Sequence, residues 1–269
     1  MKNLPISGLA LAVALVLPTV AHAQGEAPHG TDQSVRIEFE RLDLSDDYGT
    51  LETLKAEYKA VLDDVTVVVT PQAGWRENAT TDVSAVGANL SLYYDLASNL
   101  SGHTEVGVAE DKPVFARYQV GQELTLKVAR NTTVTGGVRY ANYFGDRDVM
   151  FYSLGARQYF KGGSVAYRAT LVDPDNHEAF VSHLVNLSVN DPQGRGKTQM
   201  WLSAGGTAIE RQALDGDFTG TDYSGTLRRL QPLTKKLDVI LSAGLTSYDR
   251  PTGRTLGNSV GLGLQLDVD

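Results

Sequence analysis

Long runs that alternate between apolar and polar residues constrain this chain more than any other feature. From Val114 to Val128 almost every second side chain is apolar, whereas the positions between them carry residues such as Arg117, Glu123 and Lys127. A period of two is typical of a β-strand with one apolar face. Charges buried between two packed sheets would be costly, but the interior of a membrane barrel accommodates them. The pattern therefore favours a membrane barrel over a soluble β-sandwich or a periplasmic barrel.

Segments with this pattern, or a weaker form of it, recur along the whole chain. A tilted strand needs only ~9–11 residues to cross a bilayer, and the segments are long enough for that. We therefore predict an all-β fold, a transmembrane antiparallel up-and-down β-barrel of about 14 strands, with about 12 as the alternative. The predicted strands are 34–42, 51–61, 64–76, 82–94, 99–109, 113–128, 132–144, 148–160, 164–173, 179–190, 198–209, 218–230, 236–248 and 254–268.

The connections between these strands are expected to alternate in length. In bacterial barrels both termini are periplasmic, so the odd-numbered connections are long and extracellular and the even-numbered ones are short. Aromatic pairs flank the loop at 145–148, namely Tyr143-Phe144 and Phe151-Tyr152, and a membrane interface favours such rings. The candidate long loops are 44–50, 76–81, 173–178, 210–220 and 249–253, and the candidate short turns are 62–64, 95–99, 129–131 and 161–163.

The N-terminus carries the features of an export signal. Lys2 precedes an apolar run from Leu4 to Val20, and Ala21-His22-Ala23 places small residues at the positions that signal peptidase recognises. The run is short for a membrane anchor, which is the alternative. We predict a cleaved signal peptide at 1–23, a flexible N-terminal tail at 24–33 and an outer-membrane β-barrel at 34–269. The expected location is the outer membrane of a bacterial cell.

Composition excludes several classes of function. The chain has no cysteine, which excludes disulfides, thiolate zinc sites and cysteine nucleophiles. Its formal net charge of −8 makes nucleic acid a poor partner. After residue 23 no apolar run is long enough for a transmembrane helix.

Catalytic and metal sites are weakly indicated. Residues 257–261 match GxSxG, the hydrolase nucleophile motif, but eight alternating residues follow Gly261 where that motif requires a helix. Asp175, His177 and His183 lie near one predicted loop without a metal-binding spacing. Acidic loops could hold divalent ions, although solvated loops are the ordinary explanation. We expect no enzyme activity, no cofactor and no metal site.

Strand alternation also predicts which charged residues line the interior. Positive and negative groups are nearly balanced on that face, which suits either a hydrated path for polar solutes or charge pairs that fill a closed barrel. A barrel of about 14 strands is wide, which favours the hydrated path. The predicted lining residues are Arg36, Glu38, Lys55, Glu57, Lys59, Glu105, Arg117, Glu123, Lys127, Arg139, Arg157 and Arg168.

Several short motifs resemble a known family of membrane barrels. They are Leu92-Tyr93-Tyr94-Asp95-Leu96, Phe115-Ala116-Arg117-Tyr118-Gln119, Gly137-Val138-Arg139-Tyr140, Tyr152-Ser153-Leu154-Gly155, Tyr167-Arg168, Asp173-Pro174-Asp175 and Ser182-His183-Leu184. The stretch from about 90 to 191 is similar to the YaiO-type outer-membrane β-barrel family. The resemblance implies a bacterial outer-membrane barrel linked to polysaccharide or surface-glycan export, without catalytic residues. The chain departs from the usual aromatic C-terminus of such barrels, because it ends in Asp267-Val268-Asp269.

These observations together predict an outer-membrane channel or export conduit for polar, carbohydrate-class solutes. One alternative is a closed structural barrel whose extracellular loops bind glycan, lipopolysaccharide or a partner protein. A less favoured alternative is an outer-membrane hydrolase that uses His177, His183 or Ser259. The expected partners are outer-membrane lipid and lipopolysaccharide, the barrel-assembly machinery and a glycan or polysaccharide solute.

Overall fold

The structure is a computed structural model. It describes residues 33–45, 48–79, 81–175, 178–192, 194–205, 221–250 and 253–268. The predicted signal peptide and nearly all of the predicted N-terminal tail lie outside these ranges. Within them, no helix is long and apolar enough to span a membrane.

The described residues form one closed antiparallel barrel. Each strand pairs with its neighbours in sequence, and β1 pairs with β14 from Gln33 opposite Val268 to Leu44 opposite Gly257, which closes the ring. This confirms the predicted fold class and strand number. The strands are β1 (Gln33–Leu44), β2 (Gly49–Leu62), β3 (Val65–Glu77), β4 (Asp82–Ala97), β5 (Leu100–Ala109), β6 (Tyr118–Ala129), β7 (Thr132–Tyr143), β8 (Arg147–Phe160), β9 (Gly163–Pro174), β10 (Phe180–Asn190), β11 (Lys197–Ala204), β12 (Tyr223–Pro232), β13 (Leu237–Arg250) and β14 (Gly253–Val268).

Most strand bounds agree with the prediction to within a few residues. The clearest difference is β6, which was expected to begin at residue 113 and begins at Tyr118. The five preceding residues belong to a loop that enters the barrel, as described below. β11 ends at Ala204, and the predicted strand residues at 206–209 and 218–220 lie outside the described ranges.

The two ends of the barrel differ in their connections. At one end, which we call the turn end, two-residue turns join β2 to β3 and β8 to β9, with positive φ angles at Asp63 (49°) and Gly162 (85°). Both chain ends of the barrel lie here. At the other end, which we call the loop end, two connections are longer. The β5–β6 connection comprises residues 110–117, and the β11–β12 connection comprises residues 205–222. The predicted contrast in length is only partial, because β7–β8 and β13–β14 are also joined by short segments at the loop end.

The wall separates an apolar outer face from a polar inner face. On β14, Leu262, Leu264 and Leu266 are exposed on the outside, whereas the alternate residues Gly263 and Asp267 are buried on the inside. Strands about 4.8 Å apart and tilted by about 40° give a ring of this strand number a backbone diameter of about 28 Å. Side chains that point inwards from opposite sides of the wall are therefore too short to meet in the centre of the barrel.

Glycines on the inner face make room for long charged side chains. A Cβ atom added at Gly137 would lie 2.7 Å from Cγ of Glu123, and one added at Gly263 would lie 2.7 Å from Cγ of Glu38. Each glutamate thus lies flat over a glycine of the neighbouring strand. The 27 glycines of the chain include many such positions, and this explains part of its glycine content.

Candidate functional site

Two groups of paired charges lie halfway along the barrel interior. Together we call them the charged belt. The first ion cluster joins β1, β2 and β12, and the second ion cluster joins β5, β6, β7 and β9. The first comprises Arg36, Glu38, Lys55, Glu57 and Arg228, and the second comprises Glu105, Glu123, Arg139 and Arg168.

The first ion cluster is built around Glu38 and Arg36. The Arg36 Nε atom lies 2.9 Å from Glu38 Oε1, and its Nη2 atom donates to Glu57 on β2. Arg228 Nη2 reaches the same Glu38 oxygen at 2.6 Å, although β13 and β14 separate β12 from β1 in the wall. Lys55 lies opposite Glu38 on β2. The side chains of Arg36, Glu38 and Arg228 are only 16–23% exposed, so water screens these pairs incompletely.

The second ion cluster contains a forked pair across two intervening strands. Arg168 Nη1 lies 2.5 Å from Glu123 Oε1, and its Nη2 lies 3.3 Å from Glu123 Oε2. Such two-point contacts between guanidinium and carboxylate are the strong form of an ion pair. Glu105 and Arg139 both lie over Gly121 of β6, between the strands that carry them. The Arg139 guanidinium also lies 4.0 Å from the centre of the Phe151 ring.

Aromatic and polar side chains extend the second cluster towards β4. The Tyr93 and His103 rings are stacked, with their centres 4.3 Å apart. His103 is buried, and its Nε2 atom has no hydrogen-bond partner among the described residues. The inner wall therefore presents hydroxyl, imidazole, carboxylate and guanidinium groups at one level.

An arginine from a turn covers part of the turn end. Arg195, in the β10–β11 connection, lies 2.5 Å from Asp238 and 2.9 Å from Asp267, both of which are buried. It also donates to the carbonyl groups of Thr234 and Lys235. Hydrogen bonds and charge attraction from these carboxylates raise the pKa of Arg195 above its ordinary value. One guanidinium thus pairs with two carboxylates that face the interior.

Part of the interior at the loop end is apolar. One buried cluster there contains Ala141, Tyr143, Val149, Phe151 and Val172, and a second contains Ala85, Val114 and Phe115. We call these two clusters the apolar collar. The lipid-interface position expected for Tyr143 and Phe151 is therefore wrong. Both occupy inward positions by strand register, and they are 1% and 7% exposed.

The structure gathers eight of the predicted lining residues into the charged belt. Three more lie nearer the turn end: Lys59 is buried on β2, Lys127 is exposed on β6, and Arg157 on β8 donates to Ser164 at 2.8 Å. Arg117 lies outside the strands, where it contacts Asp146 at 2.8 Å in the β7–β8 loop. The residues placed in the belt are Arg36, Glu38, Lys55, Glu57, Glu105, Glu123, Arg139 and Arg168.

Sequence reasoning missed Arg228, Arg195 and the buried loop residues Val114 and Phe115. Arg228 precedes Arg229 in a segment that is polar on both faces, so alternation gave no side for it. The strand register places Arg228 inside, opposite Ser242, and Arg229 outside, where it pairs with Asp191 at 2.6 Å. Only the closure of the barrel brings Arg228 and Glu38 together.

The groups considered for hydrolysis are not assembled in the described part of the chain. Ser259 has extended strand backbone on β14, faces the interior and contacts Glu40. His183 faces outwards, as alternation predicted, and its Nδ1 atom lies 2.8 Å from the Tyr167 hydroxyl. His177 lies outside the described residues. Among the described residues, no group of three or more potential ligands is arranged to hold a metal ion.

Comparison with known proteins gives both a family and a fold. A model of the YaiO membrane beta barrel domain matches residues 32–209. The CymD monoaromatic hydrocarbon channel is similar in structure, with a TM-score of 0.61 and 7% identity over 89% of each chain. A bacterial polysaccharide outer membrane secretin gives 0.56 and 9%, over 91% of this chain and all of that one (100%). The Pseudomonas putida toluene transporter TodX gives 0.56 and 10%, over 89% of each chain. At these identities the structural similarity establishes the fold alone.

Proposed function

Because the chain belongs to the YaiO membrane β-barrel family and is a barrel of the bacterial outer membrane, we propose that it is a channel or export conduit for polar, carbohydrate-class solutes. The observation that carries this proposal is the charged belt. A conduit for hydrocarbons would not place arginine and glutamate side chains across its middle, since their desolvation by an apolar solute would be costly.

The balance of charge in the belt favours an uncharged polar solute. Five cationic and four acidic groups lie at about the same level, so neither anions nor cations meet a field of one sign. Guanidinium groups donate hydrogen bonds and carboxylates accept them, and sugar hydroxyls do both. Stacked rings such as Tyr93 and His103 add a flat surface of the kind that lies against sugar rings. The similarity to a polysaccharide outer membrane secretin agrees with this solute class.

A closed structural barrel is the second candidate function, and the apolar collar favours it. If the collar and the paired belt fill the lumen, the barrel would act through its extracellular loops by binding glycan, lipopolysaccharide or a partner protein. This candidate predicts binding that depends on the loops and no conductance.

Planar-bilayer recording with matched arginine variants separates the two functions. Folded protein in an open form should give discrete conducting events. Arg36→Gln should shift the reversal potential in a salt gradient towards cation selectivity, because it removes one positive charge from the belt. The matched control is Arg41→Gln, on the same strand but on the outer face, where it pairs with Asp43 and Glu52.

Oligosaccharides provide the test of solute class. Neutral oligosaccharides added to a conducting channel should block the ion current transiently. A channel that conducts salt but shows no block by any neutral sugar would contradict the carbohydrate assignment. A folded protein that never conducts, in the wild-type form or after the loop changes described next, would contradict the channel itself.

A further inference from the structure

The loop at 110–117, which we call the inner loop, turns into the barrel instead of extending away from it. Val114 and Phe115 are 1% and 4% exposed. They pack with Ala85, and with Leu51, Val83 and Ala109 around it. The strand register places all four of these wall residues on the inner face. The two loop side chains therefore lie inside the mouth of the barrel.

The wall is shaped to receive this loop. A Cβ atom added at Gly74 would lie 2.7 Å from Val114 Cγ1 and 2.7 Å from Phe115 Cζ. Glycine at position 74 and alanine at position 85 thus leave the space that the two side chains occupy. On the other side, Ala116 packs against the collar cluster that contains Tyr143 and Phe151. The inner loop consequently spans from the β2–β5 side of the mouth to the β7–β10 side.

Polar contacts hold both ends of the inner loop. Glu110 accepts a hydrogen bond from the Val86 backbone N–H at 3.1 Å, and Lys112 donates to the Ser84 carbonyl at 2.8 Å. Arg117 pairs with Asp146 at 2.8 Å. The bond from Val86 and the nearby Lys112 ammonium lower the pKa of Glu110, which keeps this anchor charged to more acidic pH. The loop is thus fixed at three points along its length.

We infer that the inner loop is a built-in constriction, and that Val114 and Phe115 set the size of solute that passes the loop end. The inference rests on the proposed channel function. The inner loop narrows the mouth on the β2–β10 side. At this level of β11 and β12, Ser203 and Ser224 face the interior, and their side-chain oxygens lie 2.6 Å apart.

Truncation of the two side chains tests the role of the loop. The double variant Val114→Ala/Phe115→Ala should raise single-channel conductance about twofold or more, because conductance grows with the open cross-section. It should also admit larger oligosaccharides. The matched control is Phe144→Ala, since Phe144 lies in the β7–β8 loop and is 43% exposed. Retention of the heat-modifiable gel shift shows that each variant is folded.

Disulfide trapping reports the position of the loop without any need for conduction. The chain has no native cysteine, so Gly74→Cys/Val114→Cys introduces the single pair. The spacing at this position suits a disulfide, and the pair should cross-link on oxidation. Gly136→Cys/Val114→Cys, with Gly136 on the outer face, should not.

The outcomes separate the inference from the proposed function. A wild-type channel whose conductance is unchanged by the double truncation, or a failure of the 74–114 pair to cross-link in folded protein, overturns the constriction and leaves the channel standing. A silent wild type that conducts after truncation supports the constriction in a stronger form. Silence in both, with the cross-link formed, overturns the channel and the constriction with it.

Discussion

The pair between Arg168 and Glu123 offers a direct measure of how wet the barrel interior is. Their side chains are 15% and 16% exposed, and the guanidinium contacts both carboxylate oxygens. Replacing one partner of a buried pair by an apolar residue leaves the other charge uncompensated and costs about 3–5 kcal/mol at full burial. Because some exposure remains, we expect about 2–3 kcal/mol for Arg168→Met and for Glu123→Leu.

The double variant should be less costly than the sum of the single changes. Removing both charges removes the uncompensated group, so we expect a total near 2 kcal/mol and a coupling energy of about 2–4 kcal/mol. The assay is urea-dependent unfolding from lipid vesicles, followed by the fluorescence of Trp75 and Trp201. Trp201 occupies an inward position on β11, and Trp75 is exposed on the outer face.

A loop pair outside the strands serves as the control for this cycle. Arg117 and Asp146 are 2.8 Å apart, but their side chains are 36% and 80% exposed. Pairs of that kind contribute about 0.2–1 kcal/mol. A coupling energy for Arg168 and Glu123 as small as that of the control would refute the reasoning, because it would mean that water solvates both partners fully.

Two further predictions concern the outer face and the turn end. Leu262 is exposed on the outer face midway along β14, and Leu262→Arg should lower the free energy of unfolding from vesicles by about 2–4 kcal/mol. Leu62→Arg, beside a turn, should lower it by about 0–1 kcal/mol. Equal losses in urea unfolding would argue against a lipid-covered face. Arg229 lowers the pKa of Asp191 through hydrogen bonds, so this contact should stabilise the barrel above the ordinary aspartate pKa of about 3.9 and be lost as pH falls through the lowered pKa. Arg229→Gln should abolish that part of the acid dependence of urea unfolding, and an unchanged pH profile would contradict it.

The wall of the barrel could be predicted because its determinants are local. On β1 the alternation assigns Arg36 and Glu38 to the interior, and the structure places both there. A strand covered by lipid on one side and by polar groups on the other leaves a clear signal in sequence. The family resemblance, first drawn from residues 90–191, is confirmed by a match over 32–209.

The inner loop could not be predicted because its sequence continues the pattern of the strand that follows. Val114 and Ala116 have the spacing of the apolar positions of β6, so alternation assigned them to the lipid-facing side. Whether such a segment extends the wall or folds inside depends on a vacancy created elsewhere, here by Gly74. The positions of Tyr143 and Phe151 could not be predicted from local sequence either. An aromatic ring at a strand end suits a lipid interface and an inner cluster equally well.

The charged belt was predictable residue by residue but not as a set of pairs. Alternation gives a side chain its face, whereas its partner depends on which strands the closed ring brings within reach. Arg228 and Glu38 are 190 residues apart, and Arg168 and Glu123 are 45 apart. The signal that could have found Arg228 is the hydrophobic alternation of β13, because the register with that strand fixes which face of β12 is inside.

The belt and the collar place opposite demands on a solute, and together they define a selective route. The belt is costly for an apolar molecule, because its paired charges would lose their remaining water. The apolar collar offers a polar molecule no hydrogen-bonding groups to replace the water that it loses. The inner loop also narrows the mouth of the barrel at the level of the collar. A solute passes both only if it is polar, small enough for the space that the inner loop leaves, and able to exchange hydrogen bonds with Arg36 or Glu123 in turn. Widening the mouth should therefore relax the size limit while the preference for polar solutes, which belongs to the belt, is retained.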